Sequence, residues 1–83
     1  MNVNISFHPK DHMAFLNFSV EDFKSDLQLK ECLAIVAIIC GDFYLDPELE
    51  IEDIEQFVEA AKEKQKTQLV FELSEEGLEL ELK

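Results

Sequence analysis

Residues 67–82, TQLVFELSEEGLELEL, decide the fold. Side chains of an extended segment alternate between two faces, so Leu69, Phe71 and Leu73 share one side, as do Leu78, Leu80 and Leu82. The intervening SEEG places Gly77 where a hairpin turn needs it. Pairing Leu73 with Leu78, Phe71 with Leu80 and Leu69 with Leu82 makes one wholly apolar face. The same register sets Glu72 opposite Glu79 and Val70 opposite Glu81 on the other face. A two-stranded hairpin is marginal in water, and such a face must be covered. The rest of the chain has to supply both a wider sheet and that cover.

The N-terminus repeats the pattern. In NVNISFH (2–8), Val3, Ile5 and Phe7 alternate with Asn4, Ser6 and His8. In MAFLNFSV (13–20), Ala14, Leu16, Phe18 and Val20 fall on one face. Pairing Phe7 with Ala14, Ile5 with Leu16 and Val3 with Phe18 aligns both apolar sets. PKDH (9–12) becomes the turn, with proline at its start.

Between the hairpins the period changes to that of helices. Ser25 and Gln28 fit a capping box, and Gly41 is the expected left-handed stop. Leu29, Cys32, Leu33 and Val36 form a stripe, but Ile35, Ile38 and Ile39 make the second half apolar on every side. These three isoleucines are the expected self-association face. Isoleucine and valine also favour strands, so a buried strand over 32–40 is the competing reading. Length, the caps and two alanines point to helix. A second helix spans about 51–65, with Ile51, Ile54, Phe57, Val58 and Ala61 inward. Asp46-Pro47 fits a helix start, as N-cap and first-turn proline. Leu49 and Glu50 are out of phase with it, which instead suits an extended 45–50 and a later start. The expected architecture is one α+β domain over residues 1–83, in ββααββ order. It has a four-stranded, mainly antiparallel sheet with both helices on one face.

Composition excludes several roles. The chain carries 19 acidic residues against seven lysines and no arginine, a formal net charge of −12. Nucleic acids and anionic membrane surfaces repel such a protein, so direct contact with either is not expected. No apolar run approaches the roughly 18 residues of a membrane span, and MNVNISFHPK lacks the pattern of a signal peptide. Cys32 and Cys40 have neither metal-ligand nor disulfide-scaffold spacing. The expectation is a cytoplasmic protein with reduced thiols.

Candidate chemistry is sparse. His8 and His12 flank a turn, and no sequence spacing brings the cysteines to them. The two thiols, if helical, lie about 12 Å apart along the axis. No zinc site is expected. The serines have local uses in strands, caps and turns, and nucleotide-cradling glycine motifs and the EF-hand pattern are absent. So short a chain also has little room for a walled pocket. No catalytic residue, metal or cofactor is expected.

The concentration of acid remains. Residues 46–60, DPELEIEDIEQFVEA, contain no base, and no lysine compensates between residues 42 and 61, although Glu–Lys pairs at helical spacing would stabilise that segment. Glu48, Glu52, Glu55 and Glu59 form an expected helical column, and Glu72, Glu79 and Glu81 an expected strand face. Together these seven are the candidate surface for a basic protein partner. Such columns of carboxylates have a spacing broadly similar to that of nucleic-acid phosphates. In composition the chain resembles small, acidic, arginine-free α+β proteins that phages use as counter-defence factors. No motif stands behind that likeness; the columns themselves, with the steering that charge of one sign provides, lead to the expectation of a stoichiometric inhibitor or antidote that imitates nucleic-acid charge and blocks a nuclease or other nucleic-acid-binding protein. The plainer expectation is a non-catalytic, homodimeric structural or adaptor subunit whose charge confers solubility.

Overall fold

Both hairpins adopt the registers that their apolar alternation demands. The computed structural model describes residues 1–83. Strand β1 (Val3–His8) pairs with β2 (Met13–Ser19), setting Val3 against Phe18, Ile5 against Leu16 and Phe7 against Ala14. Strand β3 (Gln68–Ser74) pairs with β4 (Gly77–Leu82), setting Leu69 against Leu82, Phe71 against Leu80 and Leu73 against Leu78. The PKDH turn is a single 3-10 turn over Pro9–Asp11, closed by His12 in the left-handed region at φ 51°. The order is ββααββ, with all strands antiparallel and arranged β1-β2-β3-β4.

Two helices join the hairpins: α1 (Asp26–Asp42) and α2 (Ile51–Glu63). An even number of helices returns the chain to the end of the sheet where β2 finished. Strand β3 therefore starts there and runs antiparallel to β2, with Leu16 opposite Phe71 and Phe18 opposite Leu69. Residues 32–40 are helical, so the competing strand reading fails. Both helices lie on the face that carries Ala14, Leu16, Phe18, Leu69, Phe71 and Leu73. Together with Leu29, Cys32, Val36 and Cys40 of α1 and Ile54, Val58 and Ala61 of α2, these side chains form one core. Phe71 sits at its centre, edge-on to Phe18 at 5.7 Å and to Phe57 at 6.5 Å between ring centroids.

The helix ends depart from the sequence reading. Gly41 does not stop α1, which continues to Asp42 and closes on Phe43. The left-handed residue is Tyr44, at φ 57°. Its N–H bonds to Gly41 O at 3.1 Å, and that of Leu45 to Cys40 O at 2.9 Å. This is a Schellman closure, and α2 repeats it with Gln65 at φ 57° and Lys66 N–H on Ala61 O at 2.8 Å. Neither left-handed position is glycine. Tyr44→Gly should therefore stabilise the protein by about 1 kcal/mol. Gly41→Ala should add about 0.5–1 kcal/mol, because a Cβ there meets nothing within 4 Å. Urea unfolding checks both, and a loss in either variant would contradict these helix ends.

The helix starts differ as well. Ser25 Oγ accepts from Leu27 N–H at 3.3 Å and donates to the Gln28 side-chain oxygen at 2.7 Å. Gln28 thus serves the serine hydroxyl rather than a backbone N–H. Asp46-Pro47 does not open α2. The helix begins at Ile51, with Glu50 as N-cap and its N–H donated to Asp53 Oδ2 at 2.9 Å. After the turn at Phe43 and Tyr44, residues 45–50 run along the core outside any helix, with Leu45 and Leu49 packed inward and Asp46 and Glu48 exposed. An apolar period of two fits that path, whereas a helix from Pro47 would have turned Leu49 away from the core.

Candidate functional site

With both helices on one face, the other face of the sheet is open. Its residues fall into rows fixed by the register. One row runs Asn4, Asn17, Val70, Glu81; the next runs Ser6, Phe15, Glu72, Glu79; the last runs His8, Met13, Ser74, Gly77. Each row is neutral at the β1 edge, and the first two end in acid at the β4 edge. Phe15 is half-buried and Val70 buried at the middle, with His8 edge-on to Phe15 at 5.3 Å. On the neutral half, Asn17 Nδ2 donates to Gln68 Oε1 at 3.0 Å.

Glu72 and Glu79 are the hub of the acidic half. They line a shallow hollow of about 270 Å³ with Asp11, Met13, Ser74, Glu75 and Glu76. They also line a second one of about 270 Å³ with Phe15, Val70, Leu80, Glu81 and Lys83. The strand register holds these two carboxylates side by side, and cross-strand like charges oppose folding by a few tenths of a kcal/mol or more. No lysine of the protein is within ion-pair distance of any carboxylate. Only the amino group of Met1, at 3.2 Å from Glu31, and His12, at 3.9 Å from Glu75, come that close. The acids of the sheet face therefore form no ion pair with a lysine.

The α2 acids belong to another surface. Glu52, Glu55 and Glu59 are exposed on the side of α2 turned away from its buried stripe. Glu55 and Glu59 border a small hollow of about 170 Å³ with Ser25, Asp26 and Lys62. Glu48 stands outside the column because α2 starts after it. A helix layer and the sheet separate Glu52, Glu55 and Glu59 from Glu72, Glu79 and Glu81, so a flat partner meets one set or the other. Asp11, Glu75 and Glu76 enlarge the sheet-face cluster. The sequence signal for them was their position in the two turns at one end of the sheet. Phe15 and Val70, the apolar centre, were visible as the apolar residues left over on the non-core side of their strands.

Of the three isoleucines assigned to self-association, Ile35 and Ile39 are half-buried against the core and Ile38 is 68% exposed. Ile5 and Phe7 of β1 are also exposed, at 38% and 55%. No set of three or more His, Cys, Asp or Glu side chains converges on a possible metal position. No buried side-chain polar atom lacks a hydrogen-bond partner. No helix is long and apolar enough to cross a membrane.

Both cysteines are free and buried in the core. Burial pushes the Cys32 thiol from 9.0 up to about 12 and raises that of Cys40. Between those two values for Cys32 only the unfolded chain ionises. Its contribution to stability is full below pH 9.0 and is lost as pH rises toward about 12. The slope is at most about 1.4 kcal/mol per pH unit. Melting curves from pH 8 to 10.5 should fall more steeply for the native protein than for Cys32→Val, and parallel curves would contradict a buried thiol.

Compared with models of known protein families, with curated proteins and with solved structures, the chain matches none.

Proposed function

We propose that the chain is a non-catalytic protein–protein interaction domain that self-associates and docks a basic partner on its open sheet face. The observation that carries this reading is the graded face itself. An apolar centre at Phe15 and Val70 is flanked by Glu72, Glu79 and Glu81, and none of these three acids is ion-paired with a lysine, Lys83 lying only at the rim of their hollow. Apolar cores with charged rims are how protein interfaces combine affinity with orientation. Charge of one sign also steers encounter and makes association salt-sensitive. The shallow hollows and the solvated carboxylates favour contact over catalysis, since catalytic groups are tuned by burial and walls.

A second reading is favoured by one feature, the unpaired column Glu52, Glu55 and Glu59 on α2. With side chains about 5–6 Å apart, the column suits imitation of phosphates, and the protein would then act as a stoichiometric inhibitor of a nucleic-acid-binding protein. The two readings separate on affinity capture from a lysate of the source cell, eluted by rising salt with and without added DNA. A docked basic partner elutes with salt and is indifferent to DNA. A nucleic-acid-binding partner held by imitation is displaced by DNA. If the captured proteins are not basic, or stay bound at high salt, both readings fail.

A further inference from the structure

We propose that two copies of the chain join edge to edge through β1, across a two-fold axis perpendicular to the sheet, to make one eight-stranded sheet. The proposal rests on the self-association in the preceding reading and names its surface. Two copies of a −12 chain repel each other, so they can meet closely only where acids are missing. The two longest acid-free stretches are residues 1–10 and 32–41. The fold brings them to the same edge. Strand β1 pairs antiparallel with β2, and the Met1 amino group, just ahead of β1, lies 3.2 Å from Glu31, just ahead of the acid-free stretch of α1. From that fixed point, Ile5 and Phe7 advance along β1 on the helix side while Ile35, Ile38 and Ile39 advance along α1.

The two edges of the sheet differ in how they are guarded. Edge strands avoid pairing through charge, proline or bulges. Strand β4 carries Glu79 and Glu81 along its length. Strand β1, VNISFH, has no acid, lysine or proline within it, and its pairing to β2 is unbroken from Val3 to His8. Its outer backbone groups are free to pair. The two-fold keeps the helices of both copies on the same side, and antiparallel partners must then come from the same face. Ile5 of one copy therefore opposes Ile5 or Phe7 of the other. Ile5, Phe7 and the 68%-exposed Ile38 all leave water in such a dimer, flanked by the two α1 helices.

Engineered cysteines test this cleanly, because Cys32 and Cys40 are buried and do not compete for reagent. Ile5→Cys and Ser6→Cys are each treated with a short bismaleimide, with Glu79→Cys as the control for the opposite edge. Sedimentation equilibrium at micromolar concentration is run alongside on the native protein and on Ile5→Lys/Phe7→Lys. The native protein should be a dimer, and at least one of the two β1 cysteines should give a linked dimer while Glu79→Cys does not. The double lysine variant should dissociate at least 100-fold more readily with an unchanged far-ultraviolet spectrum. A native dimer that links through Ile38→Cys but through neither β1 cysteine overturns the edge pairing and leaves self-association standing. A native protein that is monomeric at 100 micromolar overturns both.

Discussion

Phe71→Ala should cost the protein about 3–5 kcal/mol. A chain of this length has about 4–12 kcal/mol of stability in total, so the loss is a large part of the whole. Phe71 is 1% exposed, on a central strand, between Leu16 of β2 and Leu80 of β4. Its ring stands at 90° to Phe18 and packs on Phe57 of α2. The variant removes a buried ring that packs on Phe18 of β2 and on Phe57 of α2, and rigid neighbours cannot close the space it leaves. Leu27→Ala, on the exposed side of α1, should change stability by under about 0.5 kcal/mol. Urea unfolding followed by circular dichroism gives both values. A cost below 1 kcal/mol for Phe71→Ala would mean that β3 does not lie under α2.

The second large effect is expected on binding, in the triple variant Glu72→Gln, Glu79→Gln, Glu81→Gln. Removing the repulsion between the paired Glu72 and Glu79 should raise stability by a few tenths of a kcal/mol up to about 1 kcal/mol. Affinity for a basic partner should move the other way. Each exposed charge contact is worth about 0.5–1 kcal/mol, so three give roughly a 10- to 100-fold loss. The dependence of affinity on salt should become shallower as well, because long-range attraction has been removed. A variant that is both more stable and weaker in binding identifies acids kept for contact. A variant more stable with binding unchanged identifies a solubility coat.

Strand registers were legible because each hairpin had one arrangement that put the alternating apolar sets of its two strands on a common face; slipping Phe71 by one position would have exposed it with Leu69 and Leu73. Helix ends were less legible. The motif that closes both helices usually takes glycine, and here Tyr44 and Gln65 occupy the left-handed position. Nothing in either residue type announces that conformation, and the nearby Gly41 pointed to the wrong turn. The start of α2 was ambiguous for a related reason. Asp46-Pro47 and Glu50 with Asp53 both satisfy local helix-start chemistry, and only the inward packing of Leu45 and Leu49 chooses between them.

The candidate site was legible as a list of acids but not as a surface. Glu72 opposite Glu79 followed from the hairpin register. That Glu52, Glu55 and Glu59 lie on the other side of the molecule depends on which face of the sheet the helices cover, a tertiary fact. The joining of Asp11, Glu75 and Glu76 to Glu72 likewise needs β2 and β3 to be neighbours, and those strands are separated by both helices in the sequence.

The most direct measurement is a three-way capture from one lysate, with equal amounts of immobilised native protein, the Glu72/Glu79/Glu81→Gln variant and a Glu52/Glu55/Glu59→Gln variant. The two variants carry the same net charge, so nonspecific attraction is matched between them. Docking on the open sheet face requires that a basic protein held by the native chain be held by the helix variant and lost from the sheet variant. Equal retention by the sheet variant and the native chain would contradict the account and leave those carboxylates with solubility as their only role.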